Sequence, residues 1–233
     1  MAIIKYECSW VGIDGGREGL WKEPIWKDVL RIIADHEGEL VYDRASPIYQ
    51  DLEKSYPDEA WRSQTAEGHF RPLFRDYPNS WTRTGVLSLS EQRFAVTDLG
   101  RSVLAGTISK PHLLVTMFEQ HTEESGPQGS SEKPFAILAS GILESTRTLA
   151  TDEIYWSIMK NYRPGQDSLN NVIKKKLPLI RSVPESTPYR RLRSMLTLMR
   201  TAGVIASTRR GTQRFWSALD VQLLKEISGT ATI

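Results

Sequence analysis

One stretch constrains the fold of this chain more than any other: YRRLRSMLTLMRTAGVIASTRRGTQRFWS, at 189–217. Within it Leu192, Met195, Leu196 and Met199 recur at helical spacing until Gly203 ends the pattern. Residues 205–210 and 213–218 then flank Gly211-Thr212 as the arms of a β-hairpin. Thr187-Pro188 caps the helix, since a proline in the first turn gives up no intrahelical bond. The expectation is a helix over 189–203 that runs directly into a hairpin.

The rest of the second half leads up to this pair. Residues 134–144 form an apolar helix suited to a core or a bridge, and Thr151-Asp152-Glu153 starts another that carries Ile154, Tyr155 and Ile158. Residues 167–176 give a third, with Leu169, Val172 and Ile173 inward. The first half shows the same order. Pro24 opens a helix in which Ile25, Val29, Ile32 and Ile33 recur, ending near Gly38, and Ser46-Pro47 caps a second through Leu52. Pro57-Asp58-Glu59 is expected to open a third through Trp61 and Thr65, extended over 70–77 with an irregularity at Pro72. VLSLSEQRFAV at 86–96 reads as a hairpin about a polar turn, and Thr97-Asp98 caps a helix through Leu99, Val103 and Leu104. Helices followed by a hairpin thus occur twice, with no repeat in the sequence itself. The polar stretch HTEESGPQGSSEK at 121–133 has linker composition and divides the chain into an N-terminal domain, 1–120, and a C-terminal domain, 134–233.

Composition excludes several classes. At 233 residues with 39% hydrophobic and 25% charged residues, the chain has the make-up of an ordinary globular protein with a real core. No apolar run approaches the roughly 18 to 20 residues that span a bilayer, so no membrane partner is expected. The first residues, MAIIKYE, lack the pattern of a secretory signal, and a cytoplasmic location is the expectation. Cys8 is the only cysteine, which excludes an intrachain disulfide and a thiolate zinc site.

Charge becomes informative once divided. Residues 1–120 hold 14 Lys and Arg against 18 Asp and Glu, a net of −4, whereas the remainder holds 16 against 10, a net of +6. Between Lys160 and Arg214, 13 basic residues face only Asp167 and Glu185. This segment also carries an apolar core pattern, so it is a basic folded surface rather than a basic tail.

The order of elements resembles the winged helix-turn-helix arrangement, and two phrases carry the likeness: GVLSLSEQRFAVTDLGRSVLAG at 85–106 and the stretch at 189–217. The spacing from TDLGRSVLAG to Pro134-Phe135-Ala136-Ile137-Leu138 is similar to that in the tandem winged-helix recognition modules of modular, type IIS-like restriction endonucleases. The resemblance covers residues 25–217. It implies two winged helix-turn-helix domains in tandem, mainly α with short β-hairpin wings, that recognise double-stranded DNA. A nuclease domain or subunit is the further partner it implies. The recognition role maps onto 189–201, and less directly onto 58–77.

Physical chemistry points the same way. Arg190, Arg193, Ser194, Thr197, Arg200 and Thr201 fall opposite the apolar arc of the helix, with no Glu or Asp among them for the i,i+4 pairing that a merely solvated face shows. Arginine can bind guanine O6 and N7 bidentately, and short hydroxyl side chains let a helix approach closely in the major groove. Arg209, Arg210 and Arg214 surround the hairpin turn and suit phosphates or a minor groove. Lys174, Lys175 and Lys176 either add phosphate contacts or only complement a helix dipole. In the first half the candidates are Arg62 and Arg71, then Gln64, His69, Arg75 and Arg83. Trp61 and Trp81 beside them read as core rather than as stacking platforms.

No catalytic chemistry is legible. The chain contains no acid-x-Lys or Gln-x-Lys pair of the kind a metal-dependent restriction nuclease needs, and no phosphate-binding loop. His36, His69, His112 and His121 are scattered without metal-ligand spacing, and Ser140-Gly141 has no paired histidine. The reading is therefore a non-catalytic DNA-binding chain with no catalytic residue, metal or cofactor. A tandem winged-helix adaptor of the chromosome-partition type and a dimeric transcription regulator are the alternatives.

Overall fold

The computed structural model describes residues 25–39, 46–57, 62–64, 70–72, 81–82, 84–91, 93–124, 131–166, 168–176 and 187–229. Over these residues the chain is mainly helical with short antiparallel hairpins, and no helix among them is long and apolar enough to cross a membrane. Its contacts divide it into two compact units that meet in sequence between Leu113 and Leu114.

In the first unit, α1 (Ile25–Asp35) buries Ile25, Trp26, Val29, Leu30 and Ile33, and α2 (Pro47–Ser55) buries Ile48, Tyr49 and Leu52. Both helices begin where proline predicts. The helix expected over 58–77 is overturned where that stretch is described, at 62–64 and 70–72. Arg62–Gln64 (β1) and Phe70–Pro72 (β2) pair as antiparallel strands in the register Arg62↔Pro72, Ser63↔Arg71 and Gln64↔Phe70. Pro72 accounts for this: inside a helix it costs about 3 kcal/mol, whereas at the end of a two-stranded ladder it leaves no bond unmade.

The hairpin of β3 (Leu87–Ser90) and β4 (Arg93–Val96) follows, in the register Leu87↔Val96 to Ser90↔Arg93. α1 packs against β4, and the turn after α1 ties it down: the Val96 amide donates to Glu37 Oε1 at 2.6 Å and the Gly38 amide to Phe94 O at 3.2 Å. Thr97 caps α3 (Asp98–Leu104) by accepting from the Gly100 amide at 3.1 Å, as its sequence predicts. Trp81 is fully buried, which agrees with its reading as core.

The boundary between the units falls within α4 (Lys110–Gln120), not in 121–133. The described ends of that polar stretch belong to the second unit. Glu123–Glu124 (β5) pairs with Ser131–Glu132 (β6), and Glu132 accepts from Arg163 Nε at 2.7 Å in a pair with little exposure. Phe118 of α4 stacks on Phe135 at 4.3 Å between ring centroids.

Phe135 belongs to α5 (Pro134–Glu144), which is buried along nearly its whole length and forms the axis of this unit. Against it lie the π-helical turn Ile154–Met159 and a C-terminal helix (Val221–Ser228) that starts at an Asp220 cap. Between α5 and the π turn come β7 (Leu149–Ala150) and α6 (Thr151–Glu153). After them come α7 (Leu169–Lys176), α8 (Thr187–Thr201), β8 (Ile205–Arg210), β9 (Gln213–Ala218) and the C-terminal helix, α9. The strands form one sheet of order β7-β9-β8. Helices α5, α7 and α8 and the final hairpin stand where the sequence predicts them; β7, α4 and α9 are elements that the sequence reading does not include.

Candidate nucleic-acid interface

A groove of the second unit is built from three stretches of chain. Arg147 donates to both oxygens of Glu153, at 3.0 and 2.7 Å, and the Ala150 amide donates to Glu153 Oε2 at 2.8 Å. Burial works to raise the Glu153 carboxyl, but these donors outweigh it and hold the group below the usual carboxylate range. The clasp turns the chain from β7 straight into α6 and leaves Thr151 and Asp152 at the floor.

Both banks are tied to that floor. Trp216 Nε1 of β9 donates to Thr151 Oγ1 at 2.9 Å, and Thr151 Oγ1 donates to Arg214 O at 3.2 Å. From α8, the Tyr189 hydroxyl donates to Asp152 Oδ1 at 2.5 Å. The Tyr189 ring also meets Tyr155, of the π turn, edge to face at 5.6 Å.

The groove measures about 730 Å³ and brings together six of the residues singled out in the sequence. Arg190, Arg193, Ser194 and Thr197 line it from α8, and Arg209 and Arg214 from the hairpin. The helix face follows from periodicity, because Leu192, Met195, Leu196 and Met199 are fully buried on the opposite side. Thr197 Oγ1 donates back to Arg193 O at 2.8 Å, which keeps the hydroxyl low on the helix surface.

Strand alternation decides the hairpin's contribution. Arg209 and Arg214 are direct cross-strand partners and so share a face with Trp216, two residues on from Arg214. Like charges directly opposite each other destabilise a sheet unless an anion lies between or beside them. The Arg214 guanidinium lies 5.7 Å from the Trp216 ring centroid, and Arg209 Nε donates to Gly211 O at 3.2 Å.

Other expected site residues stand elsewhere. Arg210 is on the opposite strand face, with its guanidinium 5.3 Å from the Phe215 ring. Arg200 Nη1 donates to Ser207 Oγ at 3.2 Å, and its half-buried side chain is not part of the groove lining. Lys174 and Lys175 are exposed on α7 and do not line the groove; Lys176 closes the same helix. Arg62 and Arg71 lie on β1 and β2 of the first unit, not on a helix. Trp61, His69, Arg75 and Arg83 are outside the described residues.

Sequence reasoning missed Asp152, Tyr189, Thr151, Thr212, Gln213 and Trp216 as groove residues. Tyr189 had a signal, since it precedes Arg193 by one helical turn and shares its face. Thr151 and Asp152 had none, because only the pairing of β7 with β9 carries them to the groove.

Among the described residues no group of three His, Cys, Asp or Glu side chains is placed to hold a metal ion. No protein-family model matches the chain, and no curated protein matches it.

Proposed function

We propose that this chain binds double-stranded DNA through the groove of its second unit, with α8 as recognition helix and the β8–β9 hairpin as wing. The observation that carries the reading is the Arg209–Arg214 cross-strand pair facing Arg190 and Arg193 of α8 across one groove. Four arginines that line one concave surface form an anion site, and an α-helix such as α8 is narrow enough for a major groove. The order helix, short strand, helices, hairpin is compatible with a winged helix-turn-helix domain, and in this reading α1, α2 and the β3–β4 hairpin are its tandem counterpart in the first unit. In this reading the chain is a cytoplasmic, non-catalytic recognition component of a restriction or defence system, acting with a nuclease domain or subunit.

Fluorescence anisotropy with a labelled duplex tests the proposal. Four phosphate contacts give a log-log salt slope of about −3.6, which is roughly a hundredfold loss of affinity between about 50 and 200 mM salt. Arg209→Ala with Arg214→Ala is expected to weaken all duplexes alike and to flatten the slope by about 0.9 for each phosphate no longer neutralised. Alanine at Arg193, Ser194 and Thr197 is expected to erode preference for a sequence selected from a random library more than general affinity. Groove variants that bind as wild type does, with an unchanged slope, overturn the reading. Duplex cleavage by the purified chain with magnesium overturns its non-catalytic part.

A further inference from the structure

Resting on the DNA-binding reading, we propose that Asp152 determines specificity by selecting a base that presents an exocyclic amino group on its major-groove edge, cytosine N4 or adenine N6. Asp152 is the one carboxylate among the described residues that line the groove, in the company of Arg190, Arg193, Arg209 and Arg214. Its Oδ1 accepts the Tyr189 hydroxyl hydrogen at 2.5 Å, and Tyr155 holds the Tyr189 ring edge-on at 5.6 Å, so the carboxylate has a fixed position. That bond engages one oxygen and leaves the lone pairs of the other to offer.

An ionised carboxylate only accepts hydrogen bonds. Phosphate oxygens, guanine N7 and O6, adenine N7 and thymine O4 are acceptors too, so each is repelled or left unpaired opposite Asp152. The donors of the major groove are the amino groups of cytosine and adenine. A groove that served only to neutralise phosphates gains nothing from a carboxylate at its floor, since that charge offsets one of its guanidinium groups. The combination of attraction from the banks and selection at the floor separates affinity from readout.

The test uses the full chain and the duplex that it selects from a random library. At one position wild type is expected to require cytosine or adenine. Replacing that base by an analogue without the amino group, 2-pyrimidinone for cytosine or purine for adenine, should lower wild-type affinity on the order of ten- to a hundredfold. The analogue that has this effect identifies the base. Asp152→Ala should abolish the effect while raising affinity for a scrambled duplex. Asp152→Asn still accepts the Tyr189 hydroxyl, which preserves the local structure, and its added donor should admit guanine at the same position. Unchanged base requirements in both variants overturn the inference and leave DNA binding intact, as does an equal loss on every duplex, which marks Asp152 as a support for Tyr189 alone. If wild type binds no duplex, the DNA-binding reading falls and the inference falls with it.

Discussion

Trp216 Nε1 lies 2.9 Å from Thr151 Oγ1 in a buried hydrogen bond between residues 65 apart in sequence. The bond fastens the wing strand β9 to the turn that starts α6, and thereby fixes the distance between one bank of the groove and its floor. Thr151→Val removes the acceptor and leaves a buried indole N–H unpaired, at a cost of about 1–3 kcal/mol. Urea unfolding of the full chain, followed by circular dichroism, should show that loss. A variant as stable as wild type removes this bond from the supports of the groove.

The clasp between Arg147 and Glu153 makes acid sensitivity a second expectation. The Glu153 carboxyl is held below its ordinary value, so its contribution to stability is complete above the unfolded value of about 4.3 and is lost as pH falls through the folded one. Glu153→Gln cannot titrate. The gap between the unfolding midpoints of wild type and variant should stay constant from about pH 7 to 5 and narrow below that range. A gap independent of pH contradicts the assignment.

Gly141 lets α5 pack tightly on the π turn, because a Cβ there meets Ile158 Cδ1 at 2.7 Å and Cγ1 at 2.9 Å. Overpacking of this kind costs about 1–3 kcal/mol, against roughly 0.5–1 kcal/mol gained by replacing glycine within a helix. Gly141→Ala should therefore lower the midpoint of thermal unfolding. Ile158→Val removes Cδ1, so the double variant should recover part of the loss. Strict additivity of the two changes denies the close approach.

A fragment of residues 110–233 should be more stable than one of 134–233. The shorter one lacks Phe118, which stacks on Phe135, and Glu132, the ion-pair partner of Arg163. Truncating a buried phenylalanine alone costs about 3–5 kcal/mol. Equal urea midpoints for the two fragments contradict the unit boundary at Leu113 and Leu114.

What could be read from the sequence is what local periodicity encodes. The spacing of Leu192, Met195, Leu196 and Met199 specifies which side of α8 is buried and hence which side carries Arg190 and Arg193. Alternation about Gly211-Thr212 likewise specifies the hairpin from 205 to 218, residue for residue. A helix wheel does not say what covers its edge, however. Arg200 shares the polar arc with Arg193, yet its guanidinium is bonded to Ser207 of β8 and not part of the groove lining. Nor does a run of helix signals after Pro57 outweigh Pro72, whose missing amide suits the end of the β1–β2 ladder. The tertiary structure alone decided the floor of the groove: β7 pairs with β9 across more than sixty residues, and that pairing carries Thr151 and Asp152 beneath the arginines. Strand pairing at such separation depends on loop closure and burial in the whole unit, and no window of neighbouring residues records it.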